Sequence, residues 1–151
     1  MRALNRSTRL DAAPDAAFAA CLELLRRPDP RRGVRERRCD PDPPEEGGTV
    51  TSVVAGRDGG QRELRSRIVE LDAGARRVAT AALGDGPSVL VVLAVEADGA
   101  ASRIRLSSEV TGGLTGRAGV ARLLDGALFG RAQRRAARAT LRRLREIAAS
   151  G

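Results

Sequence analysis

The chain has 151 residues and a formal net charge of +8, and all 27 of its basic residues are Arg, against 19 acids. It contains no His, Trp, Tyr or Lys, and only Phe18 and Phe129 are aromatic. That composition excludes histidine acid–base catalysis and His-completed zinc or haem sites, and it leaves a base-stacking platform for single-stranded nucleic acid without its aromatics.

The length suits a single domain, 1–151, that buries roughly two-thirds of its unfolded surface. Complete use of Arg for Lys, with abundant Ala and Gly, is the mark of a codon bias toward GC-rich codons, so Arg counts alone carry little functional weight. The charge is uneven: residues 1–39 hold ten Arg against five acids, 117–151 nine against two, and 40–116 eight against twelve. If the termini pair in space, one face becomes basic and suits phosphates or an acidic partner. Cys21 and Cys39 have no metal-ligand spacing and read as reduced thiols; no metal and no cofactor is called for. The N-terminus lacks an apolar signal core, and the longest apolar run, "VLVVLAV", is too short to span a bilayer, so the expected location is cytoplasmic.

In chain order, "ALNRSTRL" alternates imperfectly and predicts a first strand. "DAAPDAAFAACLELLRR" predicts a short helix, broken or unbroken: Asp11 can cap, Pro14 suits the first turn, and Phe18, Leu22 and Leu25 form an apolar side. "PDPRRG" and "CDPDPPEEGG" are turn-forming, the second a hairpin tip between strands at "VRERRC" and "TVTSVVAG". "QRELRSRIVEL" alternates cleanly, with Leu64, Ser66 and Ile68 on one side and Glu63, Arg65 and Arg67 on the other. "ARRVATAAL", "PSVLVVLAVE" and "ASRIRLSSEV" follow across short Gly-containing turns, which predicts successive antiparallel hairpins. In the last, Ile104, Leu106, Ser108 and Val110 oppose Arg103, Arg105, Ser107 and Glu109. "TGGLTGRAG" then leads into one long C-terminal helix, the only element able to cover the apolar face of the sheet.

At 100° per residue that helix places Arg131, Arg134, Arg135, Arg138, Arg142 and Arg145 in one arc. Phe129, Gln133, Ala136, Ala137, Thr140, Leu144 and Ile147 lie opposite. The arginine stripe reads as a solvated face whose stems cover apolar surface. The inner stripe is rich in Ala and Thr where a packed helix shows Leu or Ile. Small residues there leave either a cavity, as ligand pockets require, or a helix lying closer to the sheet.

The stretches "STRLDAAPDAAFAACLELL", "SRIVELDAGARRVAT" and "GALFGRAQRRAARATLRRLREIA", with the strand order, resemble the SRPBCC (START/Bet v 1-like) superfamily, in particular its bacterial polyketide cyclase/dehydrase-like branch. The resemblance covers nearly the whole chain. It implies an α+β helix-grip fold: a curved antiparallel sheet of about seven strands wrapped around the long C-terminal helix, two short helices after the first strand, and a cavity between sheet and helix. Members bind lipids, sterols, polyketides and other hydrophobic molecules; some are cyclases, some carriers, and some act through protein or ribosome contacts.

The leading expectation is therefore binding of a small hydrophobic or amphipathic ligand, lipid or polyketide-like, in that cavity. Its wall is expected to include Leu64, Ser66, Ile68, Val91, Leu93, Leu106, Ser108, Phe129, Gln133, Ala136 and Thr140. The alternative is an interaction module that uses the arginine helix against RNA, ribosome or an acidic protein. A third reading is a cyclase/dehydrase-like enzyme with Glu70 as base, since strand parity groups Glu70 with Leu64, Ser66 and Ile68. Ser66 and Ser108 have no partner base and do not read as nucleophiles, so no catalytic constellation stands out. On the double-sided apolar strand, Leu90, Val92 and Ala94 face outward, either as a homodimer surface or as ordinary exposed aliphatics.

Overall fold

The computed structural model describes residues 2–56, 58–84, 88–111 and 120–150, with side chains described throughout except at residue 2 and residues 120–129. Strand β1 (Arg2–Leu10) is followed by helix α1 (Pro14–Leu24) and a single 3-10 turn (Pro30–Arg32). Six strands come next: β2 (Val34–Asp40), β3 (Thr49–Ala55), β4 (Gln61–Asp72), β5 (Arg77–Leu83), β6 (Ser88–Asp98) and β7 (Ala101–Thr111). Helix α2 (Val120–Ser150) closes the described chain. The two short helical segments expected after the first strand are thus α1 and the 3-10 turn. The "TGGLTGRAG" lead lies almost wholly outside the described residues.

All seven strands form one antiparallel sheet in the order β1-β7-β6-β5-β4-β3-β2. The hairpin series follows sequence order, and only β1 is displaced, pairing with β7 from Arg2 opposite Val110 to Leu10 opposite Ser102. This pairing brings the first and last strands together, and α2 packs chiefly against α1, β1 and β7. The tight β6–β7 turn requires a left-handed residue, which Gly99 supplies with φ +62°.

The alternation on β7 sets the sheet's faces. Ser102, Ile104, Leu106 and Ser108 are buried on the inner face, while Arg105 and Glu109 are exposed on the outer. Pairing carries the inner face across β6 through Val95, Leu93 and Val91, opposite Ile104, Leu106 and Ser108. It continues onto β5 through Val78 and Thr80, opposite Leu93 and Val91.

Two irregularities change this parity. The register shifts between Ile68 and Glu70, so Ile68 faces Thr80, Glu70 faces Ala79 and Leu71 faces Val78. A bulge inserts one residue and reverses which side chains point inward beyond it. A second shift lies between Val34 and Glu36, after which Arg37 pairs with Ser52 and Cys39 with Val50.

The core fills the end of the sheet under α1, where Phe18, Cys21 and Leu24 meet Leu10, Val95, Ile104, Leu144 and Ile147. Each large apolar side chain buried there contributes roughly 1.5–3 kcal/mol. Ser102 Oγ donates to the Ala12 carbonyl at 2.7 Å, fixing the entry to α1. On α2, Gln133, Ala137, Leu141, Leu144 and Ile147 are buried, while Arg131, Arg135, Arg138, Arg142 and Arg145 are exposed. The helix therefore carries a wet basic face and an inner stripe largely as its periodicity predicts, with Arg134 half-buried rather than fully wet and Leu141 and Ala139 buried outside the expected stripe.

A cavity between the sheet and the C-terminal helix

Because α2 rests on α1, β1 and β7, its small inner residues stand away from the middle of the sheet. Two neighbouring lobes that share wall residues open there. The smaller, about 250 Å³, lies between α2 and strands β6 and β7, with an almost wholly apolar wall of Val89, Val91, Leu106, Val110, Ala132 and Ala137. The larger, about 480 Å³, extends toward β2–β5 and the end of α1. Val89, Val91, Ala136 and Thr140 line both. The Ala-rich stripe thus leaves space.

The expected wall residues distribute as follows. Val91, Ala136 and Thr140 form the boundary common to both lobes. Leu64, Ser66 and Leu93 line the larger lobe, with Leu64 at its rim, 47% exposed. Leu106, Ser108 and Gln133 line the smaller. Ile68 lines neither: it is fully buried in the core, just before the β4 bulge. The Phe129 side chain lies outside the described residues.

Glu70 does not belong to this wall. Beyond the bulge it faces outward and pairs with Arg77 at 2.8 Å, both side chains more than a third exposed. Strict alternation along β4 placed it inside; the extra residue puts it outside. A role as cavity base is therefore corrected to an exposed ion pair.

The polar groups of the cavity come from places that strand alternation did not mark. In the smaller lobe, Gln133 Nε2 donates to the Ser108 carbonyl at 2.9 Å and lies 3.3 Å from Ser108 Oγ. In the larger, Arg37 turns inward after the β2 bulge. Its Nη1 donates to the Leu24 carbonyl at 2.8 Å and its Nε to Ser52 Oγ at 3.2 Å. Burial, and then the neighbouring Arg32, pull the Arg37 guanidinium below its ordinary pKa. Asp29 is the one acid on this wall among the described residues. The thiols take no part in the cavity: Cys21 is sealed in the core, and Cys39 Sγ donates to the Leu25 carbonyl at 3.3 Å.

The opposite, outer face of the sheet carries a broader groove of about 560 Å³, floored by Val92 and Ala94 and edged by Arg6, Arg77, Arg103 and Arg105. Three of these arginines are spoken for: Arg77 by Glu70, Arg105 by Glu96 at 3.1 Å and Arg103 by Asp98 at 3.6 Å. Val92 and Ala94 are half-buried on this face. An open, salt-bridged strip of this kind gives a ligand little to displace water with, so the inner cavity is the better candidate.

With this geometry in view, the sequence matches over residues 1–149 the family model described as polyketide cyclase/dehydrase and lipid transport. The chain belongs to that family. No curated protein sequence matches it. Among solved structures it is similar to TTHA0849 from Thermus thermophilus, with a TM-score of 0.74 at 14% identity over 99% of this chain and 98% of that one. Ara h 8.0201 gives a TM-score of 0.68 at 13% identity, covering 99% of both chains. The di-domain ARO/CYC protein StfQ of the steffimycin biosynthetic pathway gives 0.71 at 14% identity over 98% of this chain and 50% of StfQ. At such identities the likeness is one of fold, and the fold of this family member is the helix-grip arrangement. Among the described residues, no helix is long and apolar enough to cross a membrane.

Proposed function

We propose that this protein binds a small hydrophobic or amphipathic molecule, lipid or polyketide-like, in the cavity between the sheet and α2. The observation that carries the reading is the pair of neighbouring lobes under Ala136 and Thr140, walled by Val89, Val91, Leu93 and Leu106 and furnished with few polar groups. Concave, largely apolar sites with a few convergent polar groups are where small molecules bind. Membership of a family that includes polyketide cyclases and lipid transporters supports the same class of ligand. The test is native mass spectrometry of protein purified from its own host, followed by denaturing extraction. A co-purifying apolar molecule supports binding and names its class. An empty protein whose melting temperature ignores a panel of lipids and polyketides refutes it.

A second reading has one specific observation behind it. Arg131, Arg135, Arg138, Arg142 and Arg145 are exposed along α2, and none has an acidic partner among the described residues. Such a stripe suits phosphates or an acidic protein. Binding through it weakens steeply as salt rises, whereas apolar ligand binding does not.

A further inference from the structure

We infer that the polar end of the ligand is a carboxylate and that Arg37, at the wall of the larger lobe, is its anchor. The inference rests on the cavity being a binding site and adds the chemistry of what enters it.

Arg37 is held at Nε and Nη1, and its Nη2 has no hydrogen-bond partner among the described residues. Its bonds to the Leu24 carbonyl and Ser52 Oγ use two donors of a guanidinium that has five. These bonds fix the orientation of the planar group, and the side chain lines the larger lobe. No carboxylate is within ion-pair distance among the described residues.

The surroundings add to the imbalance. Arg32 lines the same wall, and Arg143 is close enough for its charge to be felt at Arg37; Asp29 is the acid that opposes them. A desolvated charge whose charged neighbours are mostly of its own sign is costly, and that cost is relieved when an anion arrives. Arginine presents parallel donors that match the two oxygens of a carboxylate.

The rest of the wall dictates the other end of the molecule. From Arg37 the lobe runs past Val50, Val78 and Leu93 to Val91 and Ala136, where it meets the smaller apolar lobe. A chain with an anionic head at Arg37 can lay its hydrocarbon along this route under α2.

Arg37 also has a structural use, since the Leu24 carbonyl belongs to the last turn of α1. The test must separate the two. Decanoate and decanol, below their micellar concentrations at pH 8, are compared by isothermal calorimetry on the full chain and on Arg37→Gln. A charge-assisted contact predicts decanoate binding about tenfold tighter than decanol. In Arg37→Gln that preference should vanish because decanoate is weakened far more than decanol, an outcome a merely structural arginine would not give. Should Arg37→Gln not fold, Arg37→Lys keeps the charge and loses the fork. It should retain only part of the preference, and a full preference there or in Arg37→Gln removes Arg37 as the anchor. Equal binding of the two probes by the wild type overturns the carboxylate and leaves the cavity reading standing. Binding of neither overturns the cavity reading itself.

Discussion

Gln133 reaches across from α2 to β7, its Nε2 donating to the Ser108 carbonyl at 2.9 Å with the Ser108 hydroxyl 3.3 Å away. The residue is buried, so this contact is a polar tie inside an otherwise apolar seam. Removing one partner of a buried bond costs about 1–3 kcal/mol. Gln133→Ala should therefore lower stability in urea by that amount. Ser108→Ala should cost less, because the shorter bond goes to a carbonyl that alanine retains. A reversed order would mean that the hydroxyl, and not the main chain, is what Gln133 holds.

Ala136 faces both lobes, so enlarging it reports directly on the space beneath α2. In a tightly packed core an added side chain of this size typically costs about 1–3 kcal/mol. Ala136→Leu should instead leave the melting temperature unchanged or raised, and it should abolish binding of an apolar fluorescent probe such as ANS. A strongly destabilised variant would show that the seam has no room to give.

Glu70 and Arg77 make their 2.8 Å contact on the outer face, each more than a third exposed. Exposed pairs contribute at most about 1 kcal/mol. Glu70→Gln should shift the urea midpoint only slightly and leave ligand affinity unchanged at every pH. A loss of affinity that follows a carboxylate titration would put Glu70 back in contact with the ligand.

The contrast between Glu70 and Ser108 shows how far strand periodicity reaches. Ser108 sits in a regular stretch of β7, where Ile104, Leu106 and Ser108 keep one parity from end to end. Its inward position was legible from alternation alone, as was the division of α2 into an arginine stripe and a small-residue stripe. Glu70 and Arg37 both lie just beyond bulges, at Ile68/Glu70 and Val34/Glu36. A bulge is a backbone choice that reverses parity and leaves no residue signature here, since neither site carries Gly or Pro. Periodicity therefore placed Glu70 inside and gave no sign of Arg37. Nor could helix periodicity decide between an open and a closed seam. That depends on α2 resting against α1, β1 and β7, which holds its alanines off the middle of the sheet.

The thiols provide a pH test that few proteins allow. Burial pushes Cys21 up to about 12 from 9.0, and burial also raises Cys39. The chain has no Lys and no Tyr, so between these values no other ordinary side chain titrates. In the unfolded chain the Cys21 thiol ionises above about pH 9, while in the fold it stays neutral. The unfolded state then binds fewer protons than the native one, and stability falls with rising pH. Stability should be level below pH 9 and decline by up to roughly 1.4 kcal/mol per pH unit from Cys21, with a further contribution from Cys39, until the folded thiols themselves ionise. Urea midpoints measured from pH 8 to pH 11 should show this slope in the wild type and a much flatter one in Cys21→Ala. Reaction of the native protein with a thiol reagent at pH 8 should be slow at both cysteines and become rapid on unfolding. Equal slopes for wild type and Cys21→Ala, or fast labelling of Cys21 in the native state, would show that the core under α1 admits water.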